Sequence, residues 1–289
     1  MERKQNIVPL KELNLTDRFL FDETMEDPET HRETLSILLG KDISLLEVNE
    51  TEKEGRVSPL IRSTRMDVYA KDTDQVVYNT EMQDKRKSDL SKRSRYYQAI
   101  IDTGLLEPGI PNYNLLNDSY IIMITPFDLF GYKKYRYTFE SVCKEVPGLK
   151  LKDGATRIFF NTRGENDSEV SKELVDFLHY LEDTTDQRVE QTESERIKRI
   201  HQRVCKVRTS EEIGVKYMQA WEEKYYEREE GRIEGRKEGL SEGKFIKLKE
   251  QIQKKLDKKK TEEQIAEELE EDISVIRNII CEVQKENMI

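Results

Sequence analysis

The chain has 289 residues, of which 37% are charged and 35% hydrophobic, and its formal net charge is -10. It has no run of about 18 or more apolar residues, so a membrane-spanning helix is excluded. The acidic balance argues against wholesale coating of nucleic acid, yet it leaves room for a local basic groove.

Met1-Glu2-Arg3-Lys4-Gln5 leads into no apolar segment, so no secretory signal is expected. Cys143, Cys205 and Cys281 form neither a disulfide framework nor a zinc spacing, which suits a reduced cytoplasmic setting. Residues 16–25 and 28–39 are predicted helices, the second stopping at Gly40. Residues 44–48 read as a short strand, and 62–71 with 75–83 as a strand pair turning near Lys71-Asp72-Thr73-Asp74. Residues 87–106 read as a helix that ends near Pro108-Gly109. The apolar run 119–125 is short enough for a buried central strand. Further strands are expected at 135–142 and 156–161, and a helix at 168–182 with Ser168 as its cap. Strands interleaved with helices predict an α/β fold in which helices cover a mixed sheet.

Six of the seven prolines lie between Pro28 and Pro147, and beyond Leu181 the chain is charged and helical in pattern. The expected organisation is an α/β unit at 1–182 and a helical connector at 183–229. A Glu-Gly repeat helix or linker at 230–244 and a small helical module at 245–289 follow.

The chemistry is concentrated in Arg65-Met66-Asp67-Val68-Tyr69-Ala70 and Val76-Val77-Tyr78-Asn79-Thr80-Glu81-Met82-Gln83. Side chains alternate between the faces of a strand. Met66, Val68, Ala70, Val76, Tyr78, Thr80 and Met82 then form an apolar face, and Arg65, Asp67, Asn79, Glu81 and Gln83 the opposite one. Pairing centred on residue 74 sets Asp67 directly opposite Glu81, about 5 Å apart, and a shorter loop sets them diagonally, about 7–8 Å apart. A register shifted by one would expose one strand's apolar set. Two carboxylates this close need a shared proton or a cation. Their oxygen-only chemistry favours Mg²⁺ or Mn²⁺, which can polarise a phosphoryl oxygen and activate water. Gln83, on the same face, can orient that water or a phosphate. Taken alone, the pattern also suits a solvated acidic face with Arg65 paired to Asp67. The next segment weighs against that plainer reading. Lys85, Arg86, Lys87, Lys92, Arg93 and Arg95 stand against the single acid Asp89, which suits a polyanionic substrate bound over a metal. Tyr96 and Tyr97 follow, and half-buried packing is the expected role for them.

At these residues the sequence resembles the PD-(D/E)XK nuclease superfamily, and more closely the PD-(D/E)XK nuclease family transposases, which include the recombination-promoting nucleases (Rpn). The resemblance rests on Asp17-Arg18-Phe19, Arg65-Met66-Asp67-Val68, Glu81-Met82-Gln83, the Arg93-to-Tyr97 segment and the strand at 119–125, over about residues 14–180. It implies a restriction-endonuclease-like mixed sheet flanked by helices, here with an α-helical C-terminal extension. It also implies metal-dependent hydrolysis of DNA phosphodiesters, in association with mobile elements or recombination. Asp67 and Glu81 would hold Mg²⁺ or Mn²⁺ with the Met82 carbonyl, and Gln83 would stand where the superfamily has lysine. Asp17 matches the early acidic position, with Glu33 as its rival. Lys85, Arg86, Lys87, Lys92, Arg93 and Arg95 would contact DNA phosphates. Leu20 and Asp22 depart from the family's lysine after the early aromatic.

In the tail, Gly231, Gly235, Gly239 and Gly243 recur every four residues. This suits either close helix approach or a charged semi-flexible spacer. Thr261-Glu262-Glu263-Gln264 matches a capping box. Residues 262–289 carry nine acids against two bases, so a recognition helix there would repel phosphate. An assembly module that makes a homo-oligomer through the C-terminal helices is favoured over a DNA-reading helix–turn–helix. The leading expectation is a Mg²⁺-dependent endodeoxyribonuclease. The alternative is a catalytically degenerate DNA-binding or regulatory protein that oligomerises through its tail. His31, His179 and His201 share no spacing and are expected to be structural or at the surface, and Trp221 is expected to pack on a neighbouring helix.

Overall fold

Two aspartates open the first two helices. The Asp17 carboxylate accepts the Phe19 and Leu20 amides at the start of α1 (Arg18–Met25). Asp27 accepts the Thr30 amide ahead of α2 (Pro28–Leu39), whose first-turn proline has no amide to satisfy. Gly40, at φ 68°, ends α2 in the left-handed conformation that a side chain would disfavour. The computed structural model describes residues 7–55, 64–106, 109 and 111–286. Expectations for residues 1–5, 62–63, Pro108 and 287–289 lie outside the described residues.

The sheet is built from β1 (Leu46–Gly55), β2 (Thr64–Asp72), β3 (Val77–Met82), β4 (Ser119–Thr125), β5 (Arg136–Phe139) and β6 (Ala155–Asn161). Their order is β1-β2-β3-β4-β6-β5. The pairs β1–β2, β2–β3 and β5–β6 are antiparallel, and β3–β4 and β4–β6 are parallel, so the sheet is mixed as expected. A parallel β3–β4 pair needs a crossover, which α3 (Leu90–Leu105) supplies. The later helices are α4 (Lys172–Glu182), α5 (Asp186–Glu190), α6 (Glu195–Thr209), α7 (Glu211–Leu256), α8 (Glu262–Leu269) and α9 (Ile273–Glu286). Ser171, rather than Ser168, caps α4, because Asp167–Glu169 forms a separate 3-10 turn. No helix among the described residues is long and apolar enough to cross a membrane.

Both faces of the sheet are covered. On one, Val68, Ala70, Tyr78, Ile122 and Ile124 pack with Leu20, Phe21, Leu35, Leu38, Phe177 and Leu178. On the other, Tyr69, Val77, Ile121, Met123 and Phe159 pack under Leu90, Tyr97 and Ile101 of α3. The odd-numbered face of the β2–β3 pair is therefore an interior face, and every residue of β3 is buried. Ile197, Ile200, Val204 and Val207 of α6 join the first core, so this unit runs past residue 182 as far as Met218.

The second unit begins at Gln219. Ile252 of α7, Ile265 and Ala266 of α8, and Ile276, Ile279 and Ile280 of α9 make its core. The capping box at Thr261 and Gln264 is present. Gly231, Gly235, Gly239 and Gly243 all lie within α7 with open space around them. Trp221 stacks on Tyr225 of its own helix at 5.4 Å, not on a neighbouring one.

Candidate functional site

The β2–β3 register runs from Val68 against Thr80 to Lys71 against Val77, centred on residue 74. One position further along stand Asp67 and Glu81, at the end of the ladder. There the carboxylates take over the role of ladder carbonyls. The Asp67 amide donates to Glu81 Oε1 at 3.0 Å, and the Met82 amide donates to Asp67 Oδ2 at 3.1 Å. Asn79 Nδ2 adds a bond to Glu81 Oε1 at 3.1 Å. Asp67 and Glu81 are each only 1% exposed. Buried amides must find acceptors, and these two find them on side chains.

Two arginines meet the buried negative charge. Arg18 Nη2 of α1 lies 2.5 Å from Asp67 Oδ1, and Arg93 Nη2 of α3 donates to Glu81 Oε2 at 3.2 Å. Arg65 pairs with Glu52 of β1 instead of Asp67, and the burial of Asp67 and Glu81 sets aside the solvated-face reading. Burial raises the Asp67 carboxyl above the usual carboxylate range, even though Arg18, the Met82 amide and Arg93 pull it down. Burial, and then the neighbouring Asp67 charge, raises Glu81 as well. Burial thus favours a proton on these carboxyls, and the two guanidiniums oppose it.

A third acid completes the cluster, and the sequence reading missed it. Asp22 of α1 is buried and accepts Arg18 Nε at 3.3 Å. Burial and the charge of Asp67 push it upward too. Asp17, the expected early acid, is spent on capping α1, and its rival Glu33 pairs with Arg199 of α6. Asp22 lies four residues after Arg18, one helical turn on, so both reach the same side of α1. That spacing was the available signal, but it could be used only once the helix start was known.

The donor set fits a hard divalent cation. Its oxygens are carboxylate oxygens; Asp22 Oδ1 is buried and accepts no hydrogen bond, and Asp67 Oδ1 has the Arg18 guanidinium as its ion-pair partner. The Met82 side chain sits in the core while its amide serves Asp67. Among the described residues, one trio of His, Cys, Asp or Glu ligand atoms lies within 4.8 Å of one another: Asp186, His201 and Cys205. The carboxylates of Asp22, Asp67 and Glu81 do not all approach so closely; Arg18 is paired to Asp22 and Asp67, and Arg93 to Glu81. In the other trio, His201 Nε2 is held by Asp186 at 2.7 Å and Nδ1 by Tyr180 at 2.8 Å. His31 is buried between Asn49 and Thr80, and His179 bonds Tyr135. All three histidines thus have structural partners.

Gln83 has protein partners at both ends of its amide. Oε1 accepts Arg93 Nη1 at 2.8 Å, and Nε2 donates to the Lys85 carbonyl at 3.2 Å. Arg93 Nε also donates to the Tyr97 hydroxyl at 2.6 Å. Tyr97 packs in the core beneath α3, with Tyr96 partly buried beside it. The side chains of Lys85, Arg86, Lys87, Lys92 and Arg95 are exposed. They form a cationic stretch leading out of the site, and only Arg93 of the six basic residues turns inward to the carboxylates.

A family model described as PD-(D/E)XK nuclease family transposase matches residues 33–235. That span includes Asp67, Glu81, Gln83 and α3 and leaves out α1, which carries Arg18 and Asp22. No curated protein and no solved structure matches the chain.

Proposed function

The chain belongs to the PD-(D/E)XK nuclease family transposases, and from that premise we propose that it is a divalent-cation-dependent DNA endonuclease centred on Asp67 and Glu81. One observation carries the reading: two buried carboxylates, locked together by each other's backbone, sit beside Gln83 and at the head of a cationic stretch.

Asp67, Glu81 and Asp22 would hold the cation, with the main chain at Met82 beside them. When bound, Mg²⁺ or Mn²⁺ supplies Lewis-acid polarisation of the phosphate and lowers the pKa of water. The remaining work falls to the chain itself. The Asp67 and Met82 amides hold the two carboxylates in place, so little reorganisation is needed as charge develops. Arg18 balances Asp67 and Asp22 from α1. Lys85, Arg86, Lys87, Lys92 and Arg95 draw the DNA backbone toward the site, which sequence-neutral phosphate contacts do without reading bases.

The test is relaxation and linearisation of supercoiled plasmid by the full-length protein in Mg²⁺. Cleavage is expected for the wild type and lost in Asp67→Ala and Glu81→Ala. Equal cleavage by all three would sink the assignment. A second reading has its own observation: both carboxylates are already paired with arginines, and a neutral Gln83 stands in the lysine position. Such a degenerate copy would bind duplex DNA without cutting it in either Mg²⁺ or Mn²⁺.

Self-association through the C-terminal helices is part of this proposal. Tyr226, Ile233 and Leu240 are exposed along α7, seven residues apart, so they follow one side of the helix. Pairing two copies would present two cutting sites to a duplex.

A further inference from the structure

We propose that Arg93 supplies, at the scissile phosphate, the positive charge that Gln83 lacks, with Gln83 and Tyr97 as the positioning residues that aim it. The inference rests on the nuclease reading above and assigns a reacting role within that site.

Arg93 stands apart from its basic neighbours in three respects. Its side chain is 24% exposed and touches Glu81, whereas the other five basic side chains of the segment are exposed. Each of its three guanidinium nitrogens has its own acceptor: Gln83 Oε1, Glu81 Oε2 and the Tyr97 hydroxyl. It also lies over the Tyr97 ring, 5.1 Å from the centroid. The plane of the guanidinium is thereby set before any substrate arrives.

The three bonds are unequal. Those to Tyr97 and Gln83, at 2.6 and 2.8 Å, are shorter than the one to Glu81, at 3.2 Å. A cation that neutralises Glu81 would compete with that longest bond and free Nη2. The other two bonds would keep the guanidinium at the edge of the site. The freed N–H groups would then be available to a phosphate drawn to the cation that Asp67 and Glu81 would hold. In the hydrolysis, the water oxygen bonds to phosphorus and gives up a proton to solvent. The bond from phosphorus to one sugar oxygen breaks, and that oxygen leaves with the electron pair and takes a proton. Nothing is oxidised or reduced, and Arg93 keeps its proton throughout. Its contribution is charge on the non-bridging oxygens, where negative charge must be stabilised as the phosphorus is attacked. The Gln83 amide is neutral and cannot provide this; its observed contacts instead hold the arginine that can.

The experiment compares wild type, Arg93→Ala, Arg93→Lys and the double variant Arg93→Ala/Gln83→Lys as full-length proteins. Plasmid cleavage in Mg²⁺ is measured alongside duplex binding in Ca²⁺. Arg93→Ala is expected to lower kcat by about 100-fold or more while changing duplex affinity by less than about tenfold. Gln83→Lys in that background should restore at least about tenfold of the lost rate, because the cation returns from the strand side. A loss confined to duplex affinity, or no recovery in the double variant, overturns the inference. If Arg93→Ala fails to fold, Arg93→Lys carries the test, and a kcat loss beyond about 100-fold with charge retained overturns it. Thermal shift with Mn²⁺ alone gives a readout that needs no cleavage. Arg93→Ala should respond at lower Mn²⁺ than wild type, since Glu81 has lost its competing cation, and an unchanged response overturns the release from Glu81. Absence of cleavage by the wild type would instead count against the nuclease reading itself.

Discussion

The Asp67 amide donates to Glu81 Oε1, and Asp67 Oδ2 accepts the amide that follows Glu81, so each residue fixes the other at the end of the β2–β3 ladder. The arrangement ties the stability of the strand end to the carboxylates themselves. Glu81→Ala leaves the Asp67 amide and the Asn79 side chain without their acceptor, at about 1–3 kcal/mol for a buried unsatisfied donor. Glu81→Gln retains one oxygen for those donors but turns a second N–H toward Arg93. Chemical denaturation should therefore rank wild type above Gln and Gln above Ala, while both variants lose cleavage. Equal stability of the Ala and Gln variants would show that the exchanged bonds contribute nothing.

Burial keeps the Asp22, Asp67 and Glu81 carboxyls protonated to higher pH than in the unfolded chain. Between the ordinary carboxylate value near about 4 and the raised values, the folded protein holds more protons than the unfolded one. This contribution to the stability of the metal-free protein is therefore complete below the window and is lost as pH rises through it. A divalent cation competes with the same protons, so its affinity rises with pH and its binding releases protons. Mn²⁺ should raise Tm more at about pH 8.5 than at about pH 6, and Asp67→Asn should flatten the difference. A pH-independent Mn²⁺ shift would place the cation elsewhere.

The two acids of the first helix should separate cleanly. Asp17→Ala removes the α1 cap and costs about 1 kcal/mol, with cleavage unchanged at temperatures where the variant is folded. Asp22→Asn keeps the helix and weakens divalent-cation affinity by about tenfold or more. Thermal melts and Mn²⁺ titration of both variants check this. Loss of cation binding in the Asp17 variant alone would reverse the assignment.

The glycines of α7 and its exposed apolar residues lie on different sides. At 100° per residue, Gly231, Gly235, Gly239 and Gly243 centre roughly opposite Tyr226, Ile233 and Leu240. Ala at Gly235 and Gly239 meets open space and should stabilise the helix by about 1 kcal/mol at each position, leaving self-association intact. Glu at Ile233 and Leu240 should abolish it. Circular dichroism and light scattering distinguish the two effects, and dimer loss in the alanine variant would put the interface on the glycine side.

The sequence by itself determined that Asp67 and Glu81 are neighbours. Alternation of apolar residues in two adjacent strands fixes the parity of the register, because a shift by one residue would turn every side chain over, and it left facing and diagonal pairing open. It also determined that a cationic segment follows directly, because that is a matter of chain order. Tertiary structure decided the rest. Whether an aspartate caps α1 or enters the site depends on the residue at which the helix begins, and two acids five positions apart offered both choices. Which of the three basic side chains on α3, Lys92, Arg93 and Arg95, turns inward depends on the phase of the helix, set by the packing of Leu90, Tyr97 and Ile101 under the sheet. That packing places Arg93 one turn before Tyr97 and against Glu81. The inclusion of α6 in the first core was likewise hidden, because a charged amphipathic helix reads the same in sequence whether its apolar side meets its own domain or another partner.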